Sequence, residues 1–148
     1  MKKKILTVIS LLLALTAFCG AIYLGQRQQV ESGNILIKTP SNEISVSLSD
    51  LPLTKVEGET VNKKGEVKKI SAQGYEVAYI PSLAGADKYT EISVYSDDEY
   101  HADISADELL ADVNKAWIIL EEESPRLIVF GDTDSKRNVK NVVRIEIK

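Results

Sequence analysis

The run ILTVISLLLALTAFCGAIYL, residues 5–24, carries no charged side chain, and Lys2, Lys3 and Lys4 stand directly before it. At about 1.5 Å per residue a helix of that length spans roughly 30 Å, the thickness of a bilayer's hydrocarbon core. Cations followed by an apolar run are the pattern of a membrane-directing segment. The lysines bias their end toward the cytoplasm, which leaves the rest of the chain outside. The expectation is a single-pass anchor over residues 1–24, held in the cell membrane, with an extracytoplasmic C-terminal domain. TAFCGAIYLG places small residues only imperfectly for signal-peptidase cleavage, which favours retention of the segment. Lipid attachment at Cys19 is disfavoured because bulky Phe18 occupies the position where a small residue is expected.

Cys19 is the only cysteine, so the remainder of the chain can form no disulfide, no thiolate metal site and no cysteine nucleophile. Of 18 basic residues three precede the apolar run, which leaves 15 against 22 acidic residues and a net charge of −7 outside the anchor. That balance argues against nucleic acid as a partner and against tight docking on anionic lipid. Residues 25–34, GQRQQVESGN, read as a polar stalk, and 35–148 is long enough for one domain with its own core. No internal repeat or low-complexity tract appears.

Short β-rich runs dominate that domain. NILIK and EISVSL are separated by the turn signal TPSN, and Gly65 divides two alternating stretches between Lys55 and Ser71, which predicts a hairpin. In GYEVAYIPSLAG the apolar residues Val77, Ile80, Leu83 and Ala84 fall at helical spacing; Pro81 limits the helix to one or two turns and Gly85 stops it. KYTEISVYS alternates, with Ile92 and Val94 on one face. Ser105 and Glu108 form a capping box for a short helix in SADELLADV. AWIILEEE, RLIVFGD and VKNVVRIEI complete an α+β domain of mostly β mixed sheets with short helices.

Taken in order, ISVSLSDL, GEVKKISAQGYEVAYIPSLAG, DKYTEISVYSDDEYHADIS, RLIVFGD and NVKNVVRIEIK resemble the molybdopterin-binding domain of the sulfite oxidase family over about Glu43 to Lys148. The resemblance implies that family's fold. Tyr100 falls at the tyrosine of the family's D-G-Y segment, which in catalytic members approaches the substrate. Arg126 and Lys140 fall on its P-x-R and v-K-W positions, near the cofactor. Read without the resemblance, Arg126 and Lys140 are surface cations and Tyr100 a half-buried core residue.

Departures from the family are as informative. Catalytic members hold molybdenum through a cysteine thiolate, a soft ligand suited to that centre, whereas PLTKVEGETVNKK here offers no cysteine and is too short for the loop that bears it. Glu122, Glu123 and Ser124 replace the family's histidine and glycines, and acids there would repel a pyrophosphate-bearing pterin. Glu99 replaces the glycine of D-G-Y and Asn141 the tryptophan of the closing strand. The expectation is a non-catalytic binding or accessory module, with a small ligand or a protein as partner and no firm cofactor. A molybdopterin-dependent oxidoreductase subunit is the alternative.

Other chemistries find less support. His101 is the only histidine and no G-x-S-x-G elbow is present, which leaves no ground for a serine hydrolase. Clustered acids at Asp97, Asp98, Glu99 and Asp103 or at Glu121, Glu122 and Glu123 have the composition for paired-carboxylate chemistry, but adjacent acids at strand ends are ordinarily solvated. Read as a strand, Glu99, His101 and Asp103 share one face at period two and suggest a divalent-cation site, the second alternative. A wet face opposite Tyr100, Ala102 and Ile104 explains the same pattern.

Overall fold

The computed structural model describes residues 1–26 and 33–148. Most of the expected stalk, residues 27–32, lies outside the described residues. Helix α1 (Lys2–Gln26) contains the expected apolar segment and is long and apolar enough over Lys3–Ile22 to cross a membrane.

An α+β fold follows. Strands β1 (Asn34–Lys38), β2 (Glu43–Ser47), β3 (Thr54–Val61) and β4 (Val67–Glu76) precede the one-turn helix α2 (Ile80–Leu83). Strands β5 (Glu91–Ser96) and β6 (His101–Ser105) lead into α3 (Ala106–Ala111), and β7 (Ala116–Glu121), β8 (Ser124–Val129) and β9 (Val142–Ile147) complete the chain. They form a five-stranded sheet in the order β2-β1-β9-β5-β6 and a four-stranded sheet in the order β3-β4-β7-β8. Among the described residues only β1 and β9 pair in parallel.

Period-two alternation decides which side chains meet between the sheets. Ile35, Ile92, Val94, Ile104 and Ile145 of the first sheet join Ile118, Leu127 and Val129 of the second in one core cluster, each at most 4 % exposed. The predicted hairpin is β3–β4, turning at Gly65, and the predicted 77–85 helix is a 3-10 turn, Val77–Tyr79, running into α2. Ser105 caps α3 by accepting from the Glu108 amide as expected. The Glu108 side chain, however, turns away to Arg137 and does not close the capping box.

The second sheet has a core on its other face too. Val56, Ile70, Trp117, Ile119 and Ile128 are buried together there, with Phe130 packed against them. A face exposed to water would not bury a tryptophan to 7 % exposure; here the sheet curls over itself. A β-carbon added to Gly58 on β3 would lie 2.5 Å from Cε1 of Phe130, just beyond β8 at the opposite edge of the sheet. Glycine is the residue that allows this closure, because the ring occupies the place of a side chain.

Gly58→Ala is therefore expected to lower stability by about 1–3 kcal/mol through overpacking. In a Phe130→Ala background the same change should cost little. A double-mutant cycle by denaturant unfolding reads the coupling.

Candidate functional site

Three turns meet at one end of the domain: the β5–β6 turn (97–100), the β7–β8 turn (122–123) and the segment 136–141 that leads into β9. Asn141 joins them. Its carbonyl accepts from the Asp97 amide at 3.1 Å, and its side-chain oxygen accepts from the Ser124 hydroxyl at 2.9 Å. The Tyr100 hydroxyl donates to the Lys136 carbonyl.

Backbone strain gathers at the same end. Among the described residues the non-glycine residues with positive φ are Glu99 (66°), Glu122 (50°), Glu123 (65°) and Asn141 (50°). Glu122 and Glu123 form the two-residue connection between Glu121 and Ser124, which face each other across β7 and β8. That geometry is the one ordinarily met by Asn-Gly.

Glu99 has a direct internal comparison. In the β3–β4 turn the Gly65 amide donates to the Asn62 carbonyl at 3.0 Å and the Asn62 amide to the Glu66 carbonyl at 2.9 Å. The β5–β6 turn repeats this pattern, with the Glu99 amide donating to the Ser96 carbonyl at 3.2 Å and the Ser96 amide to the Tyr100 carbonyl at 2.7 Å. Glu99 thus occupies the position that Gly65 fills at φ 80°. Its carboxylate accepts from both terminal nitrogens of Arg144, at 3.2 and 2.9 Å. Those hydrogen bonds and the charge of Arg144 hold the Glu99 carboxyl below the usual carboxylate range.

Arg144 is the pivot of the outer face of the five-stranded sheet. Its guanidinium carbon lies 4.1 Å above the centre of the Tyr95 ring, and that ring stacks on His101 at 4.9 Å. Glu146 Oε1 is 2.9 Å from Arg144 Nε but off the direction of its N–H, so the two attract as charges without a hydrogen bond. Sequence reasoning missed Arg144; its alternation with Ile145 is a signal for the wet face, but nothing local marks Glu99 as its partner.

The predicted cation set is not assembled. Glu99 lies in the turn and not on β6, which begins at His101, and its carboxylate is engaged by Arg144. Asp103 accepts from the Ser93 hydroxyl at 2.5 Å, and His101 Nε2 lies 3.8 Å from its other oxygen. Among the described residues no group of three His, Cys, Asp or Glu side chains is arranged to hold a metal ion.

Arg126 is engaged, but by a carboxylate of the protein itself. Arg126 projects from β8 on the curled face, 12 % exposed, and donates to both oxygens of Glu121 at 2.8 and 2.7 Å. Burial pushes the Glu121 carboxyl up, while the hydrogen bonds from Arg126 and the charges of Arg126, Lys68 and Lys140 more than offset this and hold it low. Lys140 precedes β9 and does not lie within it, so its expected place in a closing strand is corrected. Tyr100 is also outside a strand and is 49 % exposed, not a core residue.

A third knot was not anticipated. Arg137 donates to both carboxylate oxygens of Glu108 and to both of Asp132, at 2.6–2.8 Å, with Lys115 less than 4 Å from each acid. It fastens the 131–141 segment to α3. Between the sheets, the apolar cavity lined by Ile35, Leu48, Tyr75, Ile80, Ile118 and Ile145 measures about 10 Å³, space for roughly one water molecule.

No protein-family model matches the chain, and a search of the curated proteins gives no match. The site therefore stands on its own geometry.

Two outcomes follow. Replacing Glu122-Glu123 by Asn-Gly should stabilise the domain by about 1 kcal/mol or more, read by thermal unfolding. Glu99→Gly relieves the same backbone cost while losing Arg144, so it should destabilise less than Glu99→Ala. Acid is the second lever. Glu99, Glu108 and Glu121 all titrate below the usual 4.5 in the folded chain. Folding thus favours their ionised forms; that contribution is complete above the usual value and is lost as the pH falls through the depressed ones. Unfolding midpoints should drop between about pH 5 and pH 3, and Glu108→Gln should flatten that fall while lowering stability at neutral pH.

Proposed function

We propose that the chain is a membrane-anchored, extracytoplasmic binding or accessory module whose domain follows the sulfite-oxidase-type molybdopterin design without a catalytic centre. The observation that carries this reading is the self-closure of the turn end. Arg126, one of the two cations that the resemblance places near a pterin, is engaged by Glu121. The Tyr100 hydroxyl is engaged by the Lys136 carbonyl.

The donor set does not fit a molybdenum centre. The soft thiolate that such a centre needs is absent from the domain, whose chain has its one cysteine at position 19 within α1. The resemblance itself draws support from Glu99, which has a φ of 66° at the place of the family's glycine. Retention in the membrane draws support from the length and apolarity of α1 and from the lysines at its start. What remains accessible at the turn end is a polar surface around Tyr100 and the acids of the two turns, suited to a protein or a small polar ligand.

Elemental molybdenum and pterin fluorescence, measured on the full chain purified in detergent from its own host, test the reading. Neither should exceed background. Stoichiometric cofactor would overturn it in favour of a molybdopterin oxidoreductase.

A further inference from the structure

The β3–β4 hairpin ends in a basic tip. Lys63, Lys64, Lys68 and Lys69 are all exposed there, and Val67 between them is 65 % exposed. Among the described residues Lys63, Lys64 and Lys69 form no ion pair, and Lys68 lies at the long distance of 3.9 Å from Glu121. The one acid of the turn, Glu66, is also exposed and accepts from the Asn62 side-chain amide at 2.7 Å. Asn62 also accepts from the Lys64 and Glu66 amides at 2.8 and 3.0 Å, so the tip is held in shape before it meets anything.

The charge distribution gives this tip a direction. Residues 62–69 carry four lysines and one glutamate, a charge of +3, while the chain outside the anchor totals −7; everything else there amounts to −10. An anionic surface attracts the tip and repels the remainder, so contact is oriented as well as attractive.

We propose that the tip is a second membrane contact, docking the tethered domain on anionic lipid headgroups through the four lysines with Val67 entering the interfacial layer. This rests on the membrane-anchored reading above. The tether supplies the argument for a bilayer over a soluble acidic partner. Helix α1 ends at Gln26 and β1 begins at Asn34, and the seven residues between extend to at most roughly 25 Å. A domain of this size has a radius of gyration of about 13 Å, so its whole surface can reach the bilayer. A weak lysine–headgroup attraction then acts within one molecule, at a high effective concentration. Screening confines the effect to groups within about 8 Å of the surface at physiological salt, so only the part of the domain that touches the bilayer feels it.

Hydrogen exchange on the full chain reconstituted in vesicles tests this. In phosphatidylcholine with phosphatidylglycerol, the amides of residues 62–69 should exchange at least about fivefold more slowly than in phosphatidylcholine alone, the factor for one lysine's attraction near a charged surface. The protection should vanish at high salt and in the Lys63→Gln/Lys64→Gln/Lys68→Gln/Lys69→Gln variant, whose thermal unfolding reports whether it is folded. The salt arm reads the same attraction without any substitution. Equal exchange in the two lipids, or protection that survives high salt, would overturn the proposal. So would protection by soluble polyglutamate in neutral vesicles without any from anionic lipid, which would point to an acidic protein. Carbonate-resistant retention in neutral vesicles reads the anchor separately; loss of retention there removes the tether and overturns both.

Discussion

Everything in the domain is arranged around β9. It lies at the centre of the five-stranded sheet, parallel to β1 on one side and antiparallel to β5 on the other. Ile145 and Ile147 enter the core from it, and Arg144 and Glu146 stand on the opposite face. Without that strand the sheet would divide into a β1–β2 ribbon and a β5–β6 ribbon, each too small to persist in water. The segment before β9 extends its influence to the second sheet, where Leu127 bridges to Val139.

The turn end shows how charge and backbone strain offset one another. Three glutamates adopt a left-handed conformation that L-residues avoid, and one of them, Glu99, recovers stabilisation from a bidentate pair with Arg144. Glu121 does the same for Arg126 from the edge of the adjacent turn. Residues held in such conformations mark places where a particular side chain matters more than backbone ease. The acids of the tight turns are therefore tied into the fold in part, and a reading of them as a free carboxylate cluster does not hold.

The sequence was informative where local pattern and structure share a period. The alternation of Ile92 and Val94, the Ser105 cap, the Gly65 turn and the Pro81-limited helix could all be read because each depends on neighbours within a few residues. The parallel β1–β9 pairing could not, since strand order is set by contacts between residues about 108 apart. The curl of the second sheet was hidden for a similar reason: Gly58 announces a close approach but not the ring of Phe130 that makes it. Glu99 misled as a strand residue because glutamate is a poor guide to a position where glycine is the rule, and Arg144 carries no signal of the pair it forms 45 residues away.

Placing the last strand in the middle of a sheet also sets the order in which the domain can be made. β1 precedes the other described strands, yet its parallel partner is β9, so the β1–β2 and β5–β6 hairpins cannot join into one sheet until β9 has been made. Such long-range pairing folds slowly and leaves strand edges uncovered in the interval. Until β9 is in place, β1 and β2 wait as an incomplete ribbon. Factors that shield unpaired strands would bear on this domain more than on one whose sheets assemble from sequential hairpins.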